Sequence, residues 1–352
     1  MRANIEREPW KSGWEKLSRN RHASLEYKPR PVEIVYRGRD RKNTNPENYA
    51  LLFNDAAAAY QCALRWRVSG DDRYADKAIE ILNAWSSTLK QISGSTDNCL
   101  ARGIYGYQFA NAAEIMRTYK GWKPEDFERL KNMMLTVFAP QNQRFLELHN
   151  GTIDEHYWAN WDLCNMASLM AIGVLCDRRD LYDVVVKYFK EGRGMGSIKH
   201  AVNFIHPDGL GQWQEMGRDQ GHTTMGIVLT AVICEQAWKQ GDDLYGYDND
   251  RLLAGCEYVA KYNLGEDVPF AKYVNKKHGT MTKTSDVARG APRPGWEIVY
   301  NHYVKRKGIP APYTTKMAEH VRPEGGGGDY GPNSGGFDQL GFGTLTATLD
   351  EK

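Results

Sequence analysis

The chain has 352 residues, enough for one large domain or two smaller ones with a substantial buried core. Its 46 Lys and Arg residues nearly balance its 44 Asp and Glu residues, so no global charge marks it as a nucleic-acid-binding protein. The longest nearly unbroken apolar run, residues 167–176, is far shorter than the roughly 20 residues that cross a bilayer, so no membrane span is expected. Residues 1–30 contain no apolar signal segment, so we expect either a mature exported chain or a cytosolic one.

Cysteine and aromatic residues narrow the protein class further. The six cysteines are widely spaced and form no C-x-x-C pair, which argues against a zinc ribbon or a redox motif. We expect buried thiols, with one or two disulfides as the alternative. The 20 Tyr and 10 Trp residues supply the flat rings and hydroxyl groups that sugar-binding clefts use, although aromatic residues also fill cores.

Helical periodicity begins near Tyr49. Apolar residues recur at helical spacing until residues 69–72 break the run, and a second helix follows at once, through Trp85. So short a turn joins antiparallel partners in a helical hairpin. Later predicted pairs are residues 101–119 with a helix that starts at Pro124, residues 158–176 with 180–190, and residues 217–240 with 249–263.

Almost no alternating strand pattern accompanies these helices, apart from short strands that we allow within residues 267–281. At least five hairpins, and about six to seven over the whole chain, predict an all-α fold, an α/α toroid or incomplete barrel. Irregular stretches are expected to be loops, at residues 192–211, 273–294 and 325–343. The predicted organisation is an N-terminal extension that packs on the toroid (1–48), the toroid domain (49–322) and a Gly-rich C-terminal segment (323–352).

The first candidate site cluster is a polar and aromatic run at residues 156–162, at the start of an apolar helix. Polar groups at such a helix start face the rim of a toroid rather than its packed wall. Asn160 is suited to hydrogen-bond a substrate carboxylate, with a helix cap or a buried amide as the alternative. His156 and Trp161 are expected to contact the substrate beside it.

The second candidate cluster lies within residues 208–222. Glu215, Arg218, Asp219 and His222 are three or four positions apart, so on a helix they would share one face. A surface face of ion pairs would be more repetitive and would not lead directly into an apolar run. The pattern therefore favours a functional site.

The third candidate cluster lies within residues 289–303. Pro294 predicts the start of a helix, which places Arg293 at the N-terminal end of that helix. Tyr300 and Tyr303 follow within two turns as candidate site residues, with core aromatic residues as the alternative.

Together these sequence segments resemble those of a known protein family. Residues 100–109, which include Tyr105 and Gln108, join the three clusters in looking like the alginate-lyase domain family, and roughly residues 49–308 fit it. The resemblance is closer to polysaccharide lyase family 38, which includes glucuronan lyases, than to family 5. It implies an α/α toroid, a uronate polymer as substrate, and a site without metal or cofactor that uses Asn, His, Tyr and Arg. Tyr105 and Gln108 then become candidate substrate-binding residues.

The sequence departs from the family 5 pattern at two places. Trp161 stands where a His would follow Asn160, and Arg218 and His222 stand where that family has an Arg and a downstream Tyr on one helix. The catalytic Tyr is therefore not fixed by the motif. We prefer Tyr300, with the alternates Tyr273 and Tyr303.

The resemblance implies chain cleavage by β-elimination. Asn160 and a cation, either Arg293 or Arg218, would stabilise the charge that develops on the uronate carboxylate, while Glu215 would orient Arg218 as an ion pair. His222 and one Tyr would then exchange protons with C5 and O4 of the sugars. A Tyr near cationic groups is expected to have a lowered pKa, and a Tyr and a His on opposite faces of the sugar would serve both mannuronate and guluronate.

An anionic polysaccharide is therefore the expected partner, with no nucleic acid and no membrane. The polymer, rather than any visible signal, indicates a secreted or periplasmic location, and a monomer is expected. Alginate and glucuronan both stay open as substrates.

Two other protein classes also stay open. An inverting α/α-barrel glycosidase would use two carboxyl groups about 6.5–9.5 Å apart, and Asp208, Glu215 and Glu297 are the available acids. A non-catalytic sugar-binding scaffold would repeat a motif at a fixed period, which the sequence does not do. The histidine spacings do not match a usual zinc pair.

Overall fold

The structure, a computed structural model, describes residues 2–332 and 335–350. Its α-helices in chain order are α1 (Trp10–Arg19), α2 (Tyr49–Ser69), α3 (Asp72–Thr88), α4 (Asn98–Met116), α5 (Pro124–Met133), α6 (Ala139–Leu148), α7 (Ala159–Leu175), α8 (Arg179–Glu191), α9 (Ile198–Ala201), α10 (Gln220–Lys239), α11 (Tyr247–Asn263), α12 (Trp296–Tyr300), α13 (Pro312–Val321), α14 (Gly335–Asp338) and α15 (Gly343–Thr346). The short strands are β1 (Ile34–Tyr36), β2 (Gln91–Ser93), β3 (Val202–Ile205), β4 (Gly211–Trp213), β5 (Tyr273–Asn275) and β6 (Gly279–Met281).

The helices pair into hairpins that close into a toroid, which confirms the predicted fold class. Helix α2 packs on α3, α4 on α6, α7 on α8, α10 on α11, and α12 on α13. Helices α4, α7 and α10 are buried around most of their circumference, whereas α3 and α8 bury one face only. A helix that is apolar all round belongs inside, and an amphipathic one belongs outside, so the first helix of each pair forms the inner wall.

Helices α7 and α10 begin at the same end of the toroid, because Asn160 in the first turn of α7 is hydrogen-bonded to Glu215, just before the start of α10. The candidate residues near Asn160 and His222 therefore lie together at one rim. Two antiparallel hairpins, β3–β4 and β5–β6, are inserted at this part of the chain, and the second lies where short strands were expected.

The C-terminal segment packs back on the toroid. The Phe337 ring lies 4.1 Å from the Phe53 ring on α2, and Gln108 on α4 donates a hydrogen bond to the Phe337 carbonyl at 2.6 Å. Glu324 is fully buried, and its carboxylate accepts hydrogen bonds from the backbone N–H groups of Gly295, Glu297 and Gly343. These bonds tie the segment to α12. Residues 1, 333, 334, 351 and 352 of the predicted terminal segments lie outside the described residues.

The N-terminal extension is held by a buried carboxylate on the toroid. Asp55 accepts hydrogen bonds from the Tyr27 hydroxyl, the Arg30 backbone N–H and the Trp85 indole, each at 2.7 Å. All six cysteines are free thiols and five are buried, as expected. Within the described ranges, no helix is long and apolar enough to cross a membrane.

Candidate active site

Asn160 and Glu215 meet at the rim of the toroid. Asn160 lies in the first turn of α7, and its amide Nδ2 donates to both carboxylate oxygens of Glu215 at 3.3 Å. Glu215 is fully buried, and this burial raises the pKa of its carboxyl group, although the charges of Arg218 and His222 partly oppose the shift. The pair fixes the orientation of the Asn160 amide.

Arg218 connects Glu215 with His222. Its Nη1 donates to Glu215 Oε2 at 2.7 Å, and its Nη2 donates to His222 Nε2 at 3.2 Å. Its Nε lies 3.4 Å from Asp219 Oδ2, and its guanidinium carbon lies 5.2 Å from the centre of the Trp158 ring. A guanidinium held on several sides is a cation already oriented for a carboxylate.

His222 and Asp219 form a hydrogen-bonded pair. The His222 Nδ1–H donates to Asp219 Oδ2 at 2.7 Å, and the Nε2 that accepts from Arg218 marks the neutral Nδ1–H tautomer. Burial raises the pKa of Asp219, but the hydrogen bonds from His222 outweigh it, so the pKa lies below its ordinary value. The His222 side chain is 43% exposed, so it is open to a substrate at the rim.

The prediction that this cluster shares one helix is wrong, although its side chains do converge. Helix α10 begins only at Gln220, and Glu215 and Arg218 lie in the turns before it. Asp219 is extended, with φ −168°, and its Oδ1 caps the helix by accepting from the His222 N–H at 2.7 Å. A short acidic side chain at this position satisfies a free N–H of the first turn, which favours starting the helix after it.

Tyr273 is the candidate Tyr that the structure brings to this cluster. It lies on β5 near Glu215, accepts from Asn275 Nδ2 at 3.4 Å and contacts Met195 Sδ at 3.8 Å through its hydroxyl. Burial raises its pKa; the hydrogen bond from Asn275 opposes this, and the Glu215 and Glu155 carboxylates raise the pKa further. The expected lowering of the pKa is therefore wrong for Tyr273, because the charges that act on it are carboxylates.

The β5–β6 hairpin is fixed against the residues that precede α7. The His278 ring stacks on Trp158, with centroids 4.2 Å apart and planes at 12°, and its Nε2 donates to the His156 carbonyl at 3.0 Å. Asn275 Nδ2 donates to the Glu155 carbonyl at 3.2 Å. Trp158 therefore contacts both Arg218 and His278, and the sequence reasoning gave a role to neither Trp158 nor His278.

Two predicted substrate-binding residues, Trp161 and His156, pack on Tyr157 next to this hairpin contact. The Trp161 ring packs on Tyr157 at 4.6 Å and, nearly parallel, on Phe145 at 6.0 Å. His156 packs on Tyr157 at 4.7 Å, and burial together with the charges of Lys277 and His278 lowers its pKa.

Arg293, Tyr105 and Gln108 lie in a second cluster, at the C-terminal segment. Arg293 Nη1 lies 3.1 Å from Asp338 Oδ2, so a carboxylate of the same chain neutralises this cation. The Tyr105 hydroxyl accepts from Arg37 Nη1 at 3.1 Å. Arg293 therefore forms its ion pair with Asp338 rather than with a group of the cluster around Asn160 and His222.

Tyr300 and Tyr303 pack elsewhere. The Tyr300 ring lies 5.3 Å from the guanidinium carbon of Arg322 and lines a pocket with Arg7 of the N-terminal extension. Tyr303 is fully buried, donates its hydroxyl to the Tyr245 carbonyl at 2.8 Å, and has a pKa raised well above its ordinary value by burial. Its contacts are those of a core residue.

The three carboxylates of the glycosidase alternative each have a different partner. Asp208 lies in the turn of the β3–β4 hairpin, where it accepts from the Leu210 N–H at 3.1 Å. Glu297 is buried and pairs with Arg322, whereas Glu215 pairs with Arg218. Among the described residues, no group of three or more His, Cys, Asp or Glu side chains is placed to hold a metal ion.

A family model described as alginate lyase matches residues 10–269, well over half of the chain. The match begins earlier than the resemblance noted at residues 49–308 and ends before residues 293–303, so the Arg293–Tyr303 string lies outside it. The model does not separate family 38 from family 5, so the closer likeness to family 38 stays a prediction. No curated protein matches the chain.

Solved structures share the fold. Alginate lyase A1-III from Sphingomonas species A1 aligns over 99% of this chain and 93% of its own, with a TM-score of 0.62 and 16% identity. A variant of alginate lyase A1-III in complex with a tetrasaccharide aligns over 100% and 94%, with a TM-score of 0.63 and 16% identity. An alginate lyase from Bacteroides ovatus aligns over 76% and 81%, with a TM-score of 0.57 and 15% identity.

Proposed function

The chain belongs to the alginate lyase family, a family of polysaccharide lyases, and from this premise we propose that it cleaves alginate by β-elimination at the rim cluster. One observation carries the proposal. An amide, a guanidinium and a half-exposed imidazole, on Asn160, Arg218 and His222, meet around a buried carboxylate at the start of two inner helices. These are the group types that an elimination next to a carboxylate requires.

The first requirement is to reduce the negative charge of the uronate carboxylate, because it makes the proton on C5 barely acidic. Asn160 and Arg218 supply N–H donors for the oxygens on which enolate charge develops, and each such donor is typically worth about 3 kcal/mol. Glu215 orients both donors. A substrate carboxylate beside Glu215 adds a like charge to a group whose pKa is already raised, and so favours its protonated form.

The second requirement is a base and an acid. When the substrate carboxylate takes over the Arg218 Nη2–H group, His222 Nε2 is released from Arg218 and takes the proton from C5. Asp219 orients the ring and stabilises the imidazolium that forms. The C5–H electron pair becomes the C4–C5 double bond as the C4–O4 bond breaks. Tyr273, whose raised pKa keeps its hydroxyl protonated, donates its proton to O4.

Separate groups for base and acid bear on which uronate is cleaved. Mannuronate and guluronate carry the C5 proton on opposite faces of the ring, so the face that His222 reaches decides which epimer reacts faster. Tyr273 lies on a different element from His222, and exchanged roles of the two groups would allow both epimers to react.

The substrate also bears on location. A uronate polymer lies outside the cell that degrades it, so we propose an exported or periplasmic enzyme. A monomeric state stays a prediction.

The test is to incubate the purified protein with polymannuronate, polyguluronate and glucuronan and to follow the ultraviolet absorbance of unsaturated uronate ends. A rise on either alginate polymer that is faster than on glucuronan supports the proposal. A faster rise on glucuronan contradicts the proposal that alginate is the substrate. New reducing ends without any rise overturn elimination in favour of hydrolysis.

A further inference from the structure

A buried polar network lies on the opposite side of α7 from Asn160. Asp162 is fully buried, and its Oδ1 lies 2.8 Å from His149 Nε2 and 3.3 Å from the Tyr188 hydroxyl. Residues two apart on a helix point about 200° apart, so Asp162 faces the outer helices while Asn160 faces the rim. His149 is fully buried and cannot touch a substrate. The network therefore has no direct part in the proposed chemistry.

The network holds the loop at residues 192–197. Asp162 Oδ2 accepts a hydrogen bond from the Gly196 N–H at 2.8 Å. A Cβ at Gly194 would lie 2.4 Å from the Tyr188 hydroxyl, 2.5 Å from Asp162 Oδ2 and 2.6 Å from His149 Nε2. The loop backbone thus lies directly against all three polar groups, with no room for a side chain, and its position is set by them.

The other side of this loop touches the candidate active site. The Met195 carbonyl accepts from Gln214 Nε2 at 2.8 Å, and Gln214 is the buried residue immediately before Glu215. The Met195 sulfur contacts the Tyr273 hydroxyl at 3.8 Å. One residue of the loop therefore contacts both the segment that carries Glu215 and the proposed acid.

We propose that Asp162, with His149 and Tyr188, is a positioning residue that fixes the 192–197 loop and, through Met195, sets the place of the Tyr273 hydroxyl and of the Glu215 segment. The proposal rests on the proposed function. A reacting group misplaced by about 1 Å costs on the order of a hundredfold in rate. A buried network outside the site can therefore change kcat by moving such a group.

The test compares Asp162→Asn with Asp55→Asn, a matched control in which a buried carboxylate with three donors holds the N-terminal extension instead. Asp162→Asn leaves one acceptor oxygen where the carboxylate has two, so either His149 or the Gly196 N–H loses its partner. We expect Asp162→Asn to lower kcat about ten- to a hundredfold with KM changed less than about threefold. Asp55→Asn lowers the melting temperature but leaves kcat within about twofold.

A second readout does not depend on activity. NMR of tyrosine labelled at Cζ, with the Tyr273 signal assigned by its loss in Tyr273→Phe, follows the ionisation of this hydroxyl. Burial raises the pKa of Tyr273, so a displaced loop admits water and lowers that pKa in Asp162→Asn. Gly194→Ala, which pushes the loop without altering an ionisable group, gives the same direction if Asp162→Asn does not fold.

The outcomes separate the two claims. A shift of the Tyr273 pKa in Asp162→Asn or Gly194→Ala, but not in Asp55→Asn, supports positioning even if the wild type cleaves no uronate polymer, which would overturn only the proposed function. Loss of thermal stability with both the Tyr273 pKa and kcat unchanged would overturn positioning and leave an ordinary core network.

Discussion

The His222 imidazole is the group of the rim cluster best suited to accept a proton. Its Nδ1–H is held by Asp219, and its side chain is open to the rim. Removing a general base typically costs 10²- to 10⁴-fold in rate, so we expect His222→Ala to lower kcat by about that factor. Initial rates of unsaturated-product formation on polymannuronate give the measurement.

His320→Ala is the matched control, because His320 is exposed near the end of α13. It is expected to keep wild-type kcat. If His222→Ala retains more than about a third of wild-type kcat, another group is the base.

Part of the candidate site could be predicted from the sequence. Asn160 was predicted as a polar residue at the start of an apolar helix, and Glu215, Arg218 and His222 from their spacing of three and four residues. Tyr273 was only an alternate, since its place depends on how a hairpin folds over the rim.

Two contacts could not be predicted at all. The stacking of His278 on Trp158 and the pairing of Arg293 with Asp338 join residues far apart in the chain, and no periodicity encodes such contacts. Arg293 was a reasonable candidate cation from the sequence, but its own chain neutralises it.

At the scale of the element, the β5–β6 hairpin places Tyr273. The His278–Trp158 stack and the backbone hydrogen bond to His156 hold this hairpin. An aromatic pair contributes about 0.5–1.5 kcal/mol, so we expect His278→Ala to lower kcat/KM between about twofold and tenfold. Steady-state kinetics on polymannuronate check this.

Val274→Ala serves as the control on the same hairpin, because the Val274 side chain is 62% exposed. It should leave kcat/KM within about 1.5-fold of wild type. Equal losses in the two variants would show that the stack does not position the hairpin.

The start of α10 illustrates why an element boundary escaped the sequence reasoning. The i, i+3, i+4 and i+7 spacing of the acidic and basic residues satisfies a helix, and the capping Asp219 satisfies a helix start equally well. Only the path of the chain after β4 decides between them. The side chains converge in both cases, so the cluster was predicted although the predicted backbone conformation of residues 215–219 was wrong.

At the scale of the whole molecule, Glu324 binds the C-terminal segment to the toroid through hydrogen bonds from the start of α12. Burial, and then the negative charge of Glu297, raise the pKa of Glu324 to about 7 despite three backbone hydrogen bonds. An acid whose pKa is raised by folding binds its proton more tightly in the folded state. This stabilisation is complete below the ordinary Glu pKa and is lost as the pH rises through about 7.

We therefore expect the free energy of unfolding to fall between about pH 5 and pH 8 in the wild type, and to fall less in Glu324→Gln. Urea denaturation at a series of pH values measures it. Glu319→Gln, an exposed change on α13, should keep the wild-type dependence. Parallel pH curves for wild type and Glu324→Gln would show that Glu324 does not bind its proton more tightly on folding.

The architecture itself was readable from the sequence, because inner helices that are apolar all round and amphipathic outer helices alternate along the chain. Hairpins such as α2–α3 and α7–α8 have clear breaks at short polar turns. The contacts of the C-terminal segment with the toroid could not be predicted, since its glycine-rich sequence carries no periodicity and its place depends on buried contacts such as those of Phe337 and Glu324.

The most direct test of elimination at the rim is the ultraviolet absorbance of alginate incubated with the wild type, with Tyr273→Phe and with Tyr300→Phe. We expect a rise with the wild type and with Tyr300→Phe, and a rate lower by about 10²-fold or more with Tyr273→Phe. A rise of equal rate with Tyr273→Phe, or reducing ends that appear without any absorbance change, would contradict it.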